Sequence, residues 1–200
     1  FFWRLIQTHG YLLGAPRLLS VLMPHDEKAL SGGVKHDTPE WADWLVQRKM
    51  LFHNEGRVAF DLFAPLAVDL IRRSPLVKGQ VASQHPLIIV DEAQDTGPDA
   101  WAFLVDLRKH CQTICLADLD QQIFDHLPGI GPERVDAIRF ELKPIEIDLG
   151  QANNRSPGTE IHAFAADILA GAARGAPYIG VTTFSYDPRT AMPSNYLRAA

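Results

Sequence analysis

The 200-residue sequence predicts an α/β fold, a partial parallel sheet preceded by a mainly helical segment, and three observations carry that prediction. LIIVD, QTICLAD and PIEIDL are short apolar runs of the kind that forms strands covered on both faces. Helix-like stretches separate them, and strands alternating with helices at this spacing imply a parallel sheet with helices on both faces. Upstream of residue 86 apolar residues recur instead at helical spacing.

The elements follow in order. Pro39 opens a helix, EWADWLVQRKMLF, in which Trp41, Trp44, Leu45 and Met50 make an apolar stripe. A Gly-rich polar loop, SGGVKHDT, comes before it. Asp61 is placed to cap a second helix, LFAPLAVDLIRR, with Leu62, Leu66 and Leu70 on one face. Pro65 is near enough to its start to be tolerated, and Ser74-Pro75 ends it. After the LIIVD strand, GPDAWAFLVDLRKH reads as a helix with Pro98 in its first turn. QTICLAD is the second strand, GPERVDAIRFEL a helix, and PIEIDL the third strand. SPGTEIHAFAADILAG is a further helix, with Ser156 as cap and Pro157 at the first position. The stretch from Gly175 on is an edge or tail with one strand-like piece, VTTFSY. The expected divisions are therefore residues 1–80, 81–174 and 175–200.

Bulk properties narrow the function classes. Apolar residues are 46% of the chain, enough for a core, and the formal charge is −5, which argues against coating nucleic acid by bulk charge but leaves room for a local basic patch. No run approaches the ~18 apolar residues of a membrane span. The two cysteines, Cys111 and Cys115, lack zinc-site spacing and read as reduced core thiols of a cytoplasmic protein. The eight histidines are scattered without metal-ligand spacing.

The strand ends carry the chemistry. In an open parallel sheet, ligands bind beyond the carboxyl ends of the strands. The first strand ends in Asp91 and Glu92, the second runs into Asp118, Asp120 and Gln121, and the third leads to Arg155. A carboxylate at such an end holds Mg²⁺, and its neighbour orients and deprotonates a water molecule. The amide suits sensing a terminal phosphate, and the arginine suits charge developing in phosphoryl transfer. The competing reading of Asp91-Glu92 alone is a solvated loop, with Asp95 capping the next helix.

These strings resemble a known family. VDEAQDT looks like motif II of the UvrD/Rep-type superfamily 1 DNA helicases, ADLDQQIF like motif III and LGQANNRS like motif IV, in the family's order and spacing over roughly residues 57 to 170. The resemblance implies a RecA-like P-loop NTPase core, present in part, behind an insertion-like helical subdomain. It implies an ATP- and Mg²⁺-dependent motor that moves 3′ to 5′ on single-stranded or partly duplex DNA, in the cytoplasm with the nucleoid. Carried over by position, Asp91 holds Mg²⁺, Glu92 is the general base, Gln121 senses the γ-phosphate and Arg155 is an arginine finger. Gln94 and Asp95 link the nucleotide site to neighbouring motifs.

The sequence also departs from the family. The string G-x-x-x-x-G-K-[ST] is absent: SGGVKHDT has no Gly-Lys-Ser/Thr string and no preceding buried strand, and LVKGQVAS has Lys-Gly in the wrong order. The expectation is a central piece of a longer helicase, and the alternative is a truncated binding module without turnover. Ala117 stands where the family has Gly, and Asn154 where it has Tyr. DHLPGIG replaces a stretch that stacks on DNA bases, which leaves Phe124 and His126 as candidate DNA contacts, with a core aromatic and a loop histidine as their alternatives. LPGIGPERVDAI resembles a helix-hairpin-helix element whose Gly129 and Gly131 would present backbone N–H groups to a phosphate. Its alternative is a Gly-Pro turn before an ordinary helix.

Overall fold

A computed structural model of the chain describes residues 1–35, 38–119, 129–148 and 156–182. These fall in two compact units, Phe1–Pro144 and Ile145–Ala200.

The first unit begins with α1 (Phe2–His9) and a 3₁₀ turn, Gly10–Leu13. β1 (Ser20–Leu22), α2 (Pro24–Leu30), α3 (Pro39–Met50) and β2 (Arg57–Ala59) follow. β1 and β2 pair in parallel, Val21 opposite Val58. This small sheet is an element that the sequence did not announce in a region expected to be mainly helical. A strand of 3 residues is too short for period-2 patterning to show against the helices around it. Gly56 makes the entry to β2 possible. It sits at φ +69°, and a Cβ there would lie 2.4 Å from the Leu18 carbonyl oxygen.

Pro39 does open α3, but the predicted stripe is only part of its buried face. Trp44 is buried, whereas Leu45 and Met50 are exposed. One turn on from Trp44 the buried residue is Arg48, which pairs with Glu27 of α2 and with Asp61. Asp61 therefore caps nothing: α4 (Phe63–Arg73) starts at Leu62 without a side-chain cap. Ser74 ends α4 and its hydroxyl accepts from the Val77 N–H, starting α5 (Pro75–Gln84). Leu70 is fully buried and Leu62 and Leu66 pack on the same core, as their spacing predicts.

β3 (Leu87–Val90) leads through α6 (Pro98–Leu107) to β4 (Gln112–Cys115), and the two strands pair in parallel, Val90 opposite Cys115. α6 packs on α4, and α4 on α1, so the helical region and the strands share a core from Leu5 and Ile6 through Val68 and Ile71 to Phe103 and Leu107. A second cluster, Ala93, Trp101, Leu104 and Ile138, lies against Ile88 and Val90 and brings in α7 (Pro132–Leu142). Among the described residues, the strands are covered on one face only. Ile88, Val90, Thr113 and Cys115 are half-buried, and Leu87, Ile89 and Ile114 are exposed, because helices of this unit cover one face of the pair.

The third predicted strand does not form among the described residues: 144–148 carry no ladder pairing, and Ile145 and Ile147 are 92% and 77% exposed. The second unit contains α8 (Ile161–Leu169), which starts five residues after Ser156. Ser156 instead closes a turn, its carbonyl accepting from Thr159 N–H and Oγ1, with Gly158 at φ +80°. The Glu160 carboxylate accepts from the Ile179 N–H and from Arg174, and Tyr178 donates to Asp167. Of VTTFSY, Val181 and Thr182 are described and are not in a strand.

Candidate functional site: the loop after β3

β3 ends where its pairing ends. Leu116 N–H donates to the Val90 carbonyl and Ala93 N–H to the Leu116 carbonyl, both at 2.8 Å. Between those two bonds the chain turns through Asp91 and Glu92, both exposed. Glu92 takes a left-handed conformation, φ 49° and ψ 47°. The other described non-glycine residue with positive φ, Lys143, closes the C-terminus of α7, an ordinary place for it. Glu92 instead stands at the start of a short 3₁₀ turn, not at the C-terminal end of a helix. A left-handed non-glycine costs about 1–3 kcal/mol and persists where surroundings over-determine it.

What holds Glu92 is Gln94, in the short 3₁₀ turn Ala93–Asp95. Gln94 is fully buried. Its Nε2 donates to Glu92 Oε2 at 2.6 Å, and its Oε1 accepts from the Asp118 N–H at 3.1 Å. Its carbonyl accepts from the Gly131 N–H at 2.7 Å. Gln94 thus ties together the end of β3 and the end of β4 through its side-chain amide, and the start of α7 through its backbone carbonyl. Asp91 Oδ1 accepts from the Glu92 N–H at 3.1 Å. Asp95 does not cap α6, whose N-cap is Gly97, and its buried Oδ1 has no hydrogen-bond partner among the described residues.

Arg134, in the first turn of α7, is a participant that the sequence reading missed. It is 5% exposed, its Nε donates to the Thr96 carbonyl at 2.9 Å, and its guanidinium lies 4.9 Å from the centre of the Trp101 ring. Burial lowers its pKa from the usual guanidinium value. Burial likewise raises the Cys111 and Cys115 thiols, and both cysteines are free. An arginine at the third position of a helix reads as a solvated charge, and no local pattern marks it as buried.

The candidate DNA contacts Gly129 and Gly131 have φ +74° and +71°. Both N–H groups are already bonded within the chain, Gly129 to Glu133 Oε2 at 2.8 Å and Gly131 to Gln94. A hairpin that presents those groups to a phosphate would have to give up both bonds. Asp120, Gln121, Phe124, His126 and Arg155 lie outside the described residues. No group of three or more His, Cys, Asp or Glu side chains suited to a metal occurs among the described residues, and none of their helices is long and apolar enough to cross a membrane.

Parallel strands joined through a helix, with an acid-rich loop at their carboxyl edge, place the chain among mixed α/β proteins with a candidate site in the position such sheets use. The particular family follows from comparison: the model of the UvrD/REP helicase N-terminal domain matches residues 21–128. The chain belongs to the UvrD/Rep-type helicases. None of the curated proteins compared with it matches.

Proposed function

We propose that this chain supplies the metal-and-water half of the ATPase site of a DNA helicase that moves along single-stranded DNA. The observation that carries the reading is the buried Gln94, whose side chain fixes the Glu92 carboxylate against the end of β4. Such fixing suits a general base, which must meet its proton in a defined geometry. Gln94 holds Oε2, which leaves Glu92 Oε1 to take a proton from water. Mg²⁺ fits the donor set. It keeps several waters and takes one or two protein carboxylates beside substrate phosphates, so the single exposed Asp91 suffices on the protein side. Bound there, the ion supplies neutralisation of phosphate charge.

Gln121 as sensor of the terminal phosphate and Arg155 as the cation on it complete the assignment, by position in motifs III and IV. The RecA-like core, the 3′ to 5′ direction, the DNA partner and a nucleoid-associated place in the cytoplasm belong to the same proposal. The phosphate-binding loop string is not in these 200 residues, and we assign it to sequence outside them. Without a Lys to neutralise the phosphates, the 200-residue chain alone is expected to show negligible ATPase.

The test is Glu92→Gln in the full-length protein. Loss of a general base lowers turnover by about 10²–10⁴-fold, while ATP binding is retained. Turnover that survives the substitution contradicts the assignment.

A further inference from the structure

Two bonds from the first turn of α7 land on either side of Asp95: Gly131 N–H on the Gln94 carbonyl, and Arg134 Nε on the Thr96 carbonyl. The donors are three residues apart on one helix, the acceptors two residues apart in the loop, so the Ala93–Asp95 turn is clamped at its middle and just past its end. Gly131 reaches its acceptor from φ +71° and ψ −133°, a conformation that favours glycine.

Arg134 is an expensive way to fill this space. A buried cation without a paired acid carries a desolvation cost, and an apolar side chain of similar volume would pack on Trp101 without it. No carboxylate among the described residues pairs with Arg134, and the structure gives it two partners, a loop carbonyl and a ring. Only guanidinium does both at once, since its plane stacks while its edge donates.

We propose that Arg134 is a positioning residue for the acid loop. Seated on Trp101, it fixes the Thr96 carbonyl and, with the Gly131 bond, sets the Gln94 amide that orients Glu92. Its effect on catalysis rests on the reading of Glu92 as general base, but its tether to the loop does not.

The experiment has two arms. In the 200-residue chain, amide hydrogen exchange is followed in Arg134→Met and Arg134→Lys. Met keeps the bulk against Trp101, and Lys keeps the charge without the planar donor. In both, the Asp95 and Thr96 amides, which bond to the Glu92 and Ala93 carbonyls, are expected to exchange about tenfold faster, the scale of one lost hydrogen bond. The Leu116 amide on the β3–β4 ladder keeps its protection. Unchanged exchange at Asp95 and Thr96, or equal acceleration at all three amides, overturns the tether. In the full-length protein, Arg134→Met is expected to lower kcat with KM for ATP unchanged. If Glu92→Gln abolishes turnover while Arg134→Met leaves kcat intact, the positioning role fails and the base assignment stands. If Glu92→Gln leaves turnover intact, the base assignment fails, and the exchange arm still decides the tether.

Discussion

Arg48 and Arg134 are both buried arginines, 2% and 5% exposed, and they are satisfied in opposite ways. Arg48 lies between two carboxylates, Glu27 and Asp61, with Trp44 Nε1 also donating to Glu27 at 3.3 Å. Its charge is balanced, and the network joins α2, α3 and the turn before α4 far along the chain from the acid loop. Arg134 meets a carbonyl and an aromatic ring. The first arrangement holds elements together. The second holds one loop, and that loop carries Glu92. A buried charge matched by acids and one matched by a backbone carbonyl therefore ask for different tests.

The largest expected stability effect is at Arg48. Arg48→Met leaves Glu27 and Asp61 without their cation, and breaking a buried pair typically costs ~3–5 kcal/mol. Both acids reach water, so about 2–3 kcal/mol is expected here, read as a lowered denaturant midpoint. Arg134→Met is expected to change stability by less than about 1 kcal/mol, because an apolar replacement regains desolvation energy, while turnover of the full-length protein falls. Equal destabilisation by the two substitutions would break the comparison. Trp44→Phe removes one hydrogen bond to Glu27 and is expected to cost about 1 kcal/mol, measured in the same unfolding experiment. If Trp44→Phe is neutral, Glu27 is held by Arg48 alone.

The smallest effect is at an exposed pair, Glu160 with Arg174 in the second unit, which serves as a control. The Ile179 N–H, and after it Arg174, hold the Glu160 carboxyl below the usual carboxylate value. A depressed acid contributes its stability above the unfolded-state pKa and loses it as pH falls through the folded value. The Ile179 amide signal is thus expected to stay fixed at neutral pH and move only on acidification below the ordinary carboxylate range. Movement between pH 6 and 8 would contradict that assignment.

β3, β4, α6 and α7 were legible in the sequence, because apolar runs, Pro at helix starts and Gly before α7 are local signals. The acids at the ends of β3 and β4 were legible for the same reason. Burial of the strands on both faces was not, since an apolar run records what a strand suits and not which neighbours reach it. Among the described residues PIEIDL is not a strand, because alternation of Ile145 and Ile147 does not by itself supply a pairing partner. Asp61 looked like a cap because capping is judged from local sequence, whereas its partner Arg48 is thirteen residues upstream in a separate helix. Gln94 was legible as part of a string but its work was not, because both its side-chain contacts depend on the fold. Arg134 left no signal at all.

The central claim is that the buried amide acts through the carboxylate it holds. A double-mutant cycle in the full-length protein tests this most directly, with kcat measured for Gln94→Leu, Glu92→Gln and the pair. Gln94→Leu alone is expected to lower kcat, and in the Glu92→Gln background it is expected to lower it no further. If the two losses instead multiply, Gln94 does not work through Glu92 and the account of the loop is wrong.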